Sequence, residues 1–403
     1  MKSRSVFSFS KKLCSIVLLK LLNFLLSKPK WGSMLVGLKS MRACLIFSFL
    51  LCSTLTSFAE ESRPLKVALN LPLSGGLAVY GKSVEEGVKI ALDEDAQSKS
   101  FLEFDFQDNE GMAKNAVTIA NKQLLSTPDV YVSGVKPQQM AIKDILVKYD
   151  IPHFEWIFDV NVRPNGEKNN FRTWVNFKDE PQIFLEYAKE IVPKKVAIIY
   201  VSLPSTDEEY NTLIVPGLKK LGADVYVQPY QMDLTDFAGM VLNVRKYKPD
   251  LLIISGFAEN LPPMIKRLNE QNLVKGKKII ATYDLIDAIP LVRPEWMDGM
   301  RVAAPLFLTR KDEDLKIKTF FEKFKTKYGR DPIYTHAYAY DMAKILLEVS
   351  KAKAKEPNRN LSEVIQGLDL EGITSRLKFN EEGSLPLSIE RAVVRGGKVV
   401  RDR

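Results

Sequence analysis

The chain has 403 residues, 46% of them apolar, which suits about two ordinary cores and excludes bulk disorder. Its formal charge of +9 belongs to the start: nine of the 58 Lys and Arg residues, and no acid, lie before residue 60. The remaining 49 basic residues balance 49 acidic ones, so the body has no global field to steer it to nucleic acid or an anionic membrane.

Residues 41–59 read MRACLIFSFLLCSTLTSFA. A basic start at Arg42, the apolar run Ala43–Leu51 and small residues at Ser57 and Ala59 make a signal peptide, with cleavage expected after Ala59. The run is shorter than the roughly 20 apolar residues of a membrane span. Lipidation of Cys52 is disfavoured because Leu51, not a small residue, precedes it. Residues 1–40 carry a second apolar stretch, Leu13–Leu26, broken by Lys20 and flanked by Lys11, Lys12, Lys28 and Lys30. This stretch is either a membrane anchor or interfacial helix, or an extended start ahead of Met34 or Met41; we favour the extended start.

From Lys66 onward the pattern alternates strand and helix. Lys66–Leu73 is a buried-strand candidate. In Ser83–Glu94, Val84, Val88, Ala91 and Leu92 share a helical face, with Ser83 and Glu86 as a capping box. A strand at Phe101–Phe106, a helix at Ala113–Leu125, a strand at Val130–Ser133, a helix at Gln138–Lys148 and a strand at Ile151–Phe154 follow. A second unit opens with the strand Lys195–Val201 and the helix Glu208–Leu221. Strands at Ala223–Val227, Leu251–Ser255 and Lys278–Thr282 then alternate with helices near Asp236–Tyr247 and Leu261–Gln271. A strand at Met300–Ala304 precedes helices at Asp314–Tyr328 and His336–Val349. Leu377–Val400 reads as strands and turns, with turns at Asn380–Ser384 and Arg395–Lys398. Such alternation of apolar strands with helices predicts parallel sheets covered on both faces, in two similar α/β lobes.

Catalytic signals are sparse. All three cysteines (Cys14, Cys44, Cys52) precede residue 60, so the body has no thiolate nucleophile, disulfide or Cys-based metal site. His153 and His336 are the two histidines, each read as a packed or surface residue. Pro72-Leu73-Ser74-Gly75-Gly76 lacks the first glycine of a nucleophile elbow. Lys323–Lys327 is basic but reads as the solvated face of a helix. No enzyme activity, cofactor or metal is expected. What remains are strand-end loops, above all Leu73–Gly81 (LSGGLAVYG), where glycines let the backbone turn and Tyr80 offers a ring and a hydroxyl. In open α/β sheets, ligands bind beyond the carboxyl ends of strands.

The run Ala68–Gly87 (ALNLPLSGGLAVYGKSVEEG) resembles the opening of the branched-chain amino-acid-binding proteins of ABC transporters, which are leucine-binding-protein-like type I periplasmic binding proteins. Further matches follow in order: Tyr131–Gly134, Ile151-Pro152, Phe171-Arg172-Thr173, Lys194–Tyr200, Asp331-Pro332 and Ala339-Tyr340-Asp341. The resemblance implies two doubly wound parallel-sheet lobes joined by a three-strand hinge, closing on a ligand. Lobe one is expected at 64–177 and 305–354, and lobe two at 178–304 and 355–403. It further implies a periplasmic, monomeric protein that hands a small polar or aromatic molecule to an ABC permease in the inner membrane. A ligand-sensing module that presents its ligand to a membrane receptor would have the same fold.

By position in the family, the ligand-binding candidates are Tyr80, Gln138, Trp156, Phe158, Tyr210, Phe257 and Asp284, with Tyr283 as a further aromatic wall. Asp284 falls where the family places an acid for the ligand's ammonium. The sequence departs from the family where amino-acid binders hold the carboxylate. Gln138 and Glu155–Asp159 (EWIFD) stand where small hydroxyl residues are usual. Desolvated acids there would repel a ligand carboxylate by several kcal/mol. Either these acids point away, or the ligand is not an ordinary α-amino acid; we favour the second.

Overall fold

The computed structural model describes residues 63–94, 98–156, 162–163, 166–176, 178–387 and 389–402. The leader, with its three cysteines and the expected cleavage after Ala59, lies outside the described residues, as does Phe158. No helix among the described residues is long and apolar enough to cross a membrane.

The first half builds one sheet. Strand β1 (Leu65–Leu71) leads to helix α1 (Ala78–Asp93), β2 (Leu102–Asp108) to α2 (Ala113–Leu124), and β3 (Val130–Gly134) to α3 (Lys136–Val147). Then come β4 (His153–Trp156) and β5 (Asn170–Arg172). The strand order is β2-β1-β3-β4-β5, and every pairing is parallel. Helices cover both faces, so β3 is buried along its whole length.

The second sheet repeats the scheme. Helix α4 (Asp179–Ile191) leads to β6 (Lys195–Val201), a helical run over 204–220 and β7 (Asp224–Tyr230). Helix α5 (Ala238–Tyr247), β8 (Leu251–Ile254), α6 (Leu261–Glu270), β9 (Lys278–Ala281) and β10 (Arg301–Pro305) follow. At the chain end, β11 (Ile389–Arg395) and β12 (Lys398–Arg401) pair antiparallel at the edge of this sheet. Their two-residue turn is Gly396-Gly397, with φ of 55° and 74°, the left-handed conformation that a tight hairpin needs.

Between β10 and β11 the chain returns to the first sheet. Helix α7 (Leu315–Tyr328) starts at Asp314, whose carboxylate accepts from the Lys316 and Ile317 N–H groups at 2.8 and 3.3 Å. Lys323 on this helix pairs with Glu94 at 2.8 Å, as a solvated face would. Helix α8 (Tyr334–Lys355) lies across α1. Gly87 makes that crossing close: a Cβ there would sit 2.3 Å from the His336 carbonyl oxygen and 2.8 Å from the Ala339 Cβ. Gly87→Ala must therefore spread the two helices. It is expected to cost about 1–3 kcal/mol, read as a lower urea midpoint. An unchanged midpoint would contradict the tight crossing.

Two expectations differ from the structure. The capping box at Ser83 and Glu86 is absent, because α1 begins five residues earlier, after the turn at Gly75 (φ 75°). Ser83 sits mid-helix and donates to the Val79 carbonyl at 2.5 Å, while Glu86 accepts from His336 at 2.8 Å. The stretch 355–403, expected wholly in lobe two, divides. Helix α9 (Leu361–Gly367) packs on α8. Phe379 stacks edge-on against Phe171 and Phe154 at 5.0 and 6.1 Å. Leu385 donates to the Arg172 carbonyl at 3.1 Å. Apolar Val364, Ile365, Leu377 and Phe379 thus complete the first core, and β11–β12 alone join the second sheet. The chain still passes between the two sheets three times: after β5, after β10 and before β11.

Candidate functional site

The carboxyl ends of both sheets open onto one cavity, with a volume of about 120 Å³. The first sheet supplies Leu71-Pro72 after β1, Gly134 and Lys136 after β3, Trp156 at the end of β4 and Trp174 after β5. The second supplies Val201 after β6, Ser255–Phe257 after β8 and Thr282–Asp284 after β9. Tyr80 and Gly81 enter from α1, Glu180 from α4, and Thr206 and Glu209 from the helical run after β6. This is the crevice position that open parallel sheets reserve for ligands.

Aromatic rings dominate the first-sheet side. Trp156 packs on Trp174 with ring centroids 5.5 Å apart. Tyr80 meets Phe257 edge-on at 6.1 Å across the cleft. The Trp174 indole donates to the Tyr283 hydroxyl at 3.2 Å. Gly81 is required by close approach, because a Cβ would lie 2.0 Å from the Pro72 carbonyl oxygen.

Carboxylates dominate the other side. Asp284 accepts from the Tyr80 hydroxyl at 2.7 Å and the Tyr334 hydroxyl at 3.2 Å, so residues of both sheets' elements meet on it. Burial pushes its pKa up to about 6, and the two hydroxyls oppose that rise. Glu180 is buried and accepts from the Tyr283 N–H at 2.8 Å. Burial, and then the charge of Glu209, hold its pKa well above the ordinary value. Glu209 is pushed up to about 8 by burial and by the charge of Asp284. Asp287, just behind the cavity, is raised by burial and again by Asp284. Lys136 is the cavity's one ammonium among the described residues, and it pairs with Glu208 at 3.6 Å.

Of the sequence candidates, Tyr80, Trp156, Phe257 and Asp284 line this cavity together, as does Tyr283. Two do not. Gln138 is buried in α3 and donates to the Gly111 carbonyl. Tyr210 is buried and stacks on Tyr200 at 4.4 Å, behind the wall. Its neighbour Glu209 takes the cavity position instead. Glu155 also turns away. Strand alternation puts it opposite Trp156, fully buried, accepting from Gln139 at 2.8 Å. For Glu155, then, the first of the two alternatives holds, and it does not repel a ligand.

The sequence reading missed Trp174, Glu180, Glu209 and Lys136. Trp174 directly follows the recognised Phe171-Arg172-Thr173 stretch, so the signal was one residue away. The helix carrying Glu209 continues into a π-helical turn over Tyr210–Ile214, a local distortion frequent at functional sites.

One constellation outside the cavity looks like an acyl-transfer triad. Ser133 Oγ lies 2.7 Å from His153 Nε2, and His153 Nδ1 lies 3.4 Å from Glu155 Oε1. All three residues are at most 1% exposed. A substrate carbonyl has no room beside Ser133, so the arrangement is a packed polar network linking β3 and β4.

The profile of the periplasmic binding protein family matches residues 64–383. No curated protein matches the chain. Among solved structures, a solute-binding protein of an ABC transporter from R. palustris in complex with benzoate superposes with a TM-score of 0.75 at 18% identity, covering 84% of this chain and 95% of that one. One from Rhodopseudomonas palustris BisB5 in complex with 3,4-dihydroxybenzoic acid gives 0.74 at 18% identity, covering 83% and 95%. A leucine-binding protein from Thermotoga maritima MSB8 gives 0.70 at 19% identity, covering 84% and 98%. At these identities the superpositions establish the shared two-sheet fold, and the profile match over most of the body establishes the kinship: the chain belongs to the periplasmic binding protein family.

Proposed function

We propose that this chain is an extracytoplasmic solute-binding protein that captures a small polar or aromatic molecule between its lobes and delivers it to an ABC importer. The observation that carries this reading is the aromatic cavity shared by the carboxyl ends of both sheets and bridged by Tyr80 and Asp284. Its volume of about 120 Å³ is close to that of an apolar cavity known to take up benzene, about 150 Å³. The aromatic acids bound by two of the similar structures agree with a ring-sized site. The signal-like leader, with cleavage after Ala59, supports a periplasmic location. Family membership supports a non-enzymatic role beside a permease, and we take the protein to be monomeric.

A thermal-shift screen with amino acids, amines, amides and aromatic acids tests the reading. A ligand at 100 times its Kd should add about 2.7 kcal/mol of stability. Leucine, isoleucine and valine are expected to give no shift. Trp156→Ala and Tyr80→Ala should each weaken the response to any hit while the protein remains folded. A panel with no hit, or hits unchanged in both variants, counts against capture in this cavity.

A further inference from the structure

We infer that the cleft, taken as the ligand site proposed above, selects a small organic cation: a primary ammonium on an aromatic-sized body, without a carboxylate. The charge around the cavity is unbalanced. Glu180, Glu209 and Asp284 line it, against one ammonium, Lys136, already bridged to Glu208 at 3.6 Å. Glu180 and Asp284 each accept hydrogen bonds from neighbouring donors. Glu209 differs. It is 3% exposed, and its Oε1 has no hydrogen-bond partner.

Two further cavity-lining polar atoms share that condition. Thr282 Oγ1 and Trp156 Nε1 are buried and unpartnered, in residues 5% and 6% exposed. Buried polar groups are ordinarily satisfied, and a buried carboxylate needs a counter-charge. A ligand ammonium supplies a positive charge beside Glu209 and N–H donors for the two acceptors, Glu209 Oε1 and Thr282 Oγ1, while the Trp156 indole N–H, which only donates, takes no bond from it. The rings of Tyr80, Trp156 and Phe257 receive the body of such a ligand, and an aromatic face also attracts a cation. An anion would oppose ionisation of these buried carboxyl groups and gain no counter-charge from them, whereas an ammonium favours the ionised form of Glu209. A zwitterion would have to displace Glu208 from Lys136 to place its carboxylate. The groups facing Glu209 agree with this choice. Burial and the charge of Asp284 raise its pKa, and Glu180 and Tyr210 are raised partly by Glu209 itself. A cation relieves all of these at once.

The test is calorimetric titration of the purified full chain at neutral pH with three probes of one size: benzylammonium chloride, benzyl alcohol and sodium benzoate. Benzylammonium is expected to bind at least about ten-fold more tightly than either of the others. Glu209→Gln should remove about ten-fold of that affinity and leave benzyl alcohol unchanged. Asp284→Asn, should Glu209→Gln fail to fold, is expected to act in the same direction. Benzoate or benzyl alcohol binding as tightly as benzylammonium, with binding lost in Trp156→Ala, overturns the cation inference and leaves capture in the cleft standing. Benzylammonium affinity unchanged in both charge variants overturns it as well. Failure of all three probes to bind also overturns it, and capture itself is then decided by the wider ligand panel.

Discussion

Asp341→Ala is expected to destabilise the protein by about 3–5 kcal/mol, more than any other single change considered. Asp341 lies in α8 and is 1% exposed. Its carboxylate accepts from the Ile373 N–H at 3.0 Å, the Thr374 N–H at 2.8 Å and the Thr374 hydroxyl at 2.6 Å. Burial pushes its pKa up, and these donors oppose the shift. Alanine would leave two buried N–H groups and a hydroxyl without their acceptor. It would also release the turn that brings Leu377 and Phe379 onto the first core. Asp341→Asn keeps one accepting oxygen and is expected to cost less, about 1–3 kcal/mol. Guanidinium denaturation measures both. A loss under about 1 kcal/mol for the alanine variant would show that the turn has another anchor.

The second large effect is a pH dependence. Glu209 in the fold has a pKa of about 8 and Asp284 about 6. An unfolded chain would release those protons near pH 4. Between these values the folded state holds more protons than the unfolded state, so stability falls as pH rises, and the loss is complete above about pH 8. Each unit of pKa difference is about 1.4 kcal/mol, so ionising Glu209 in the fold costs at most about 5 kcal/mol. Glu180 titrates jointly with it, Asp284 lines the same cavity, and Asp287 and Tyr210 are buried behind it within reach of these charges. Glu209→Gln should therefore match the parent protein near pH 5 and exceed it by about 2 kcal/mol or more near pH 8, in urea unfolding without ligand. An equal difference at both pH values would mean that Glu209 is not held in a desolvated, like-charged setting.

The parts of the fold legible in the sequence were those set by local periodicity. Lys195–Val201 (KVAIIYV) has the continuous apolar run of a doubly covered strand, and the strand occupies those residues. The expected two-lobe α/β architecture is the one observed. What local pattern does not carry is partnership over long range. Val364, Leu377 and Phe379 are as apolar as residues of either core, and only the Asp341 turn and the Phe154–Phe171 pocket decide which sheet they join.

The cleft shows the same limit at finer scale. A family position known to within one residue is enough on a loop, as with Phe257. On a helix, one residue turns a side chain by about 100°. That rotation separates Glu209, in the cavity, from Tyr210, behind it. On a strand, one residue inverts the side chain. Hence Trp156 faces the cavity, while Glu155 faces the network of His153 and Gln139.

Capture between the two sheets is tested most directly by a crystal structure of the protein with a compound from the thermal-shift panel. Ligand density is expected bounded by Tyr80, Trp156 and Trp174 on one side and by Glu209, Phe257 and Asp284 on the other. Density instead in the surface groove lined by Arg163, Lys178 and Glu382, with the cleft side chains in their present contacts, would contradict it.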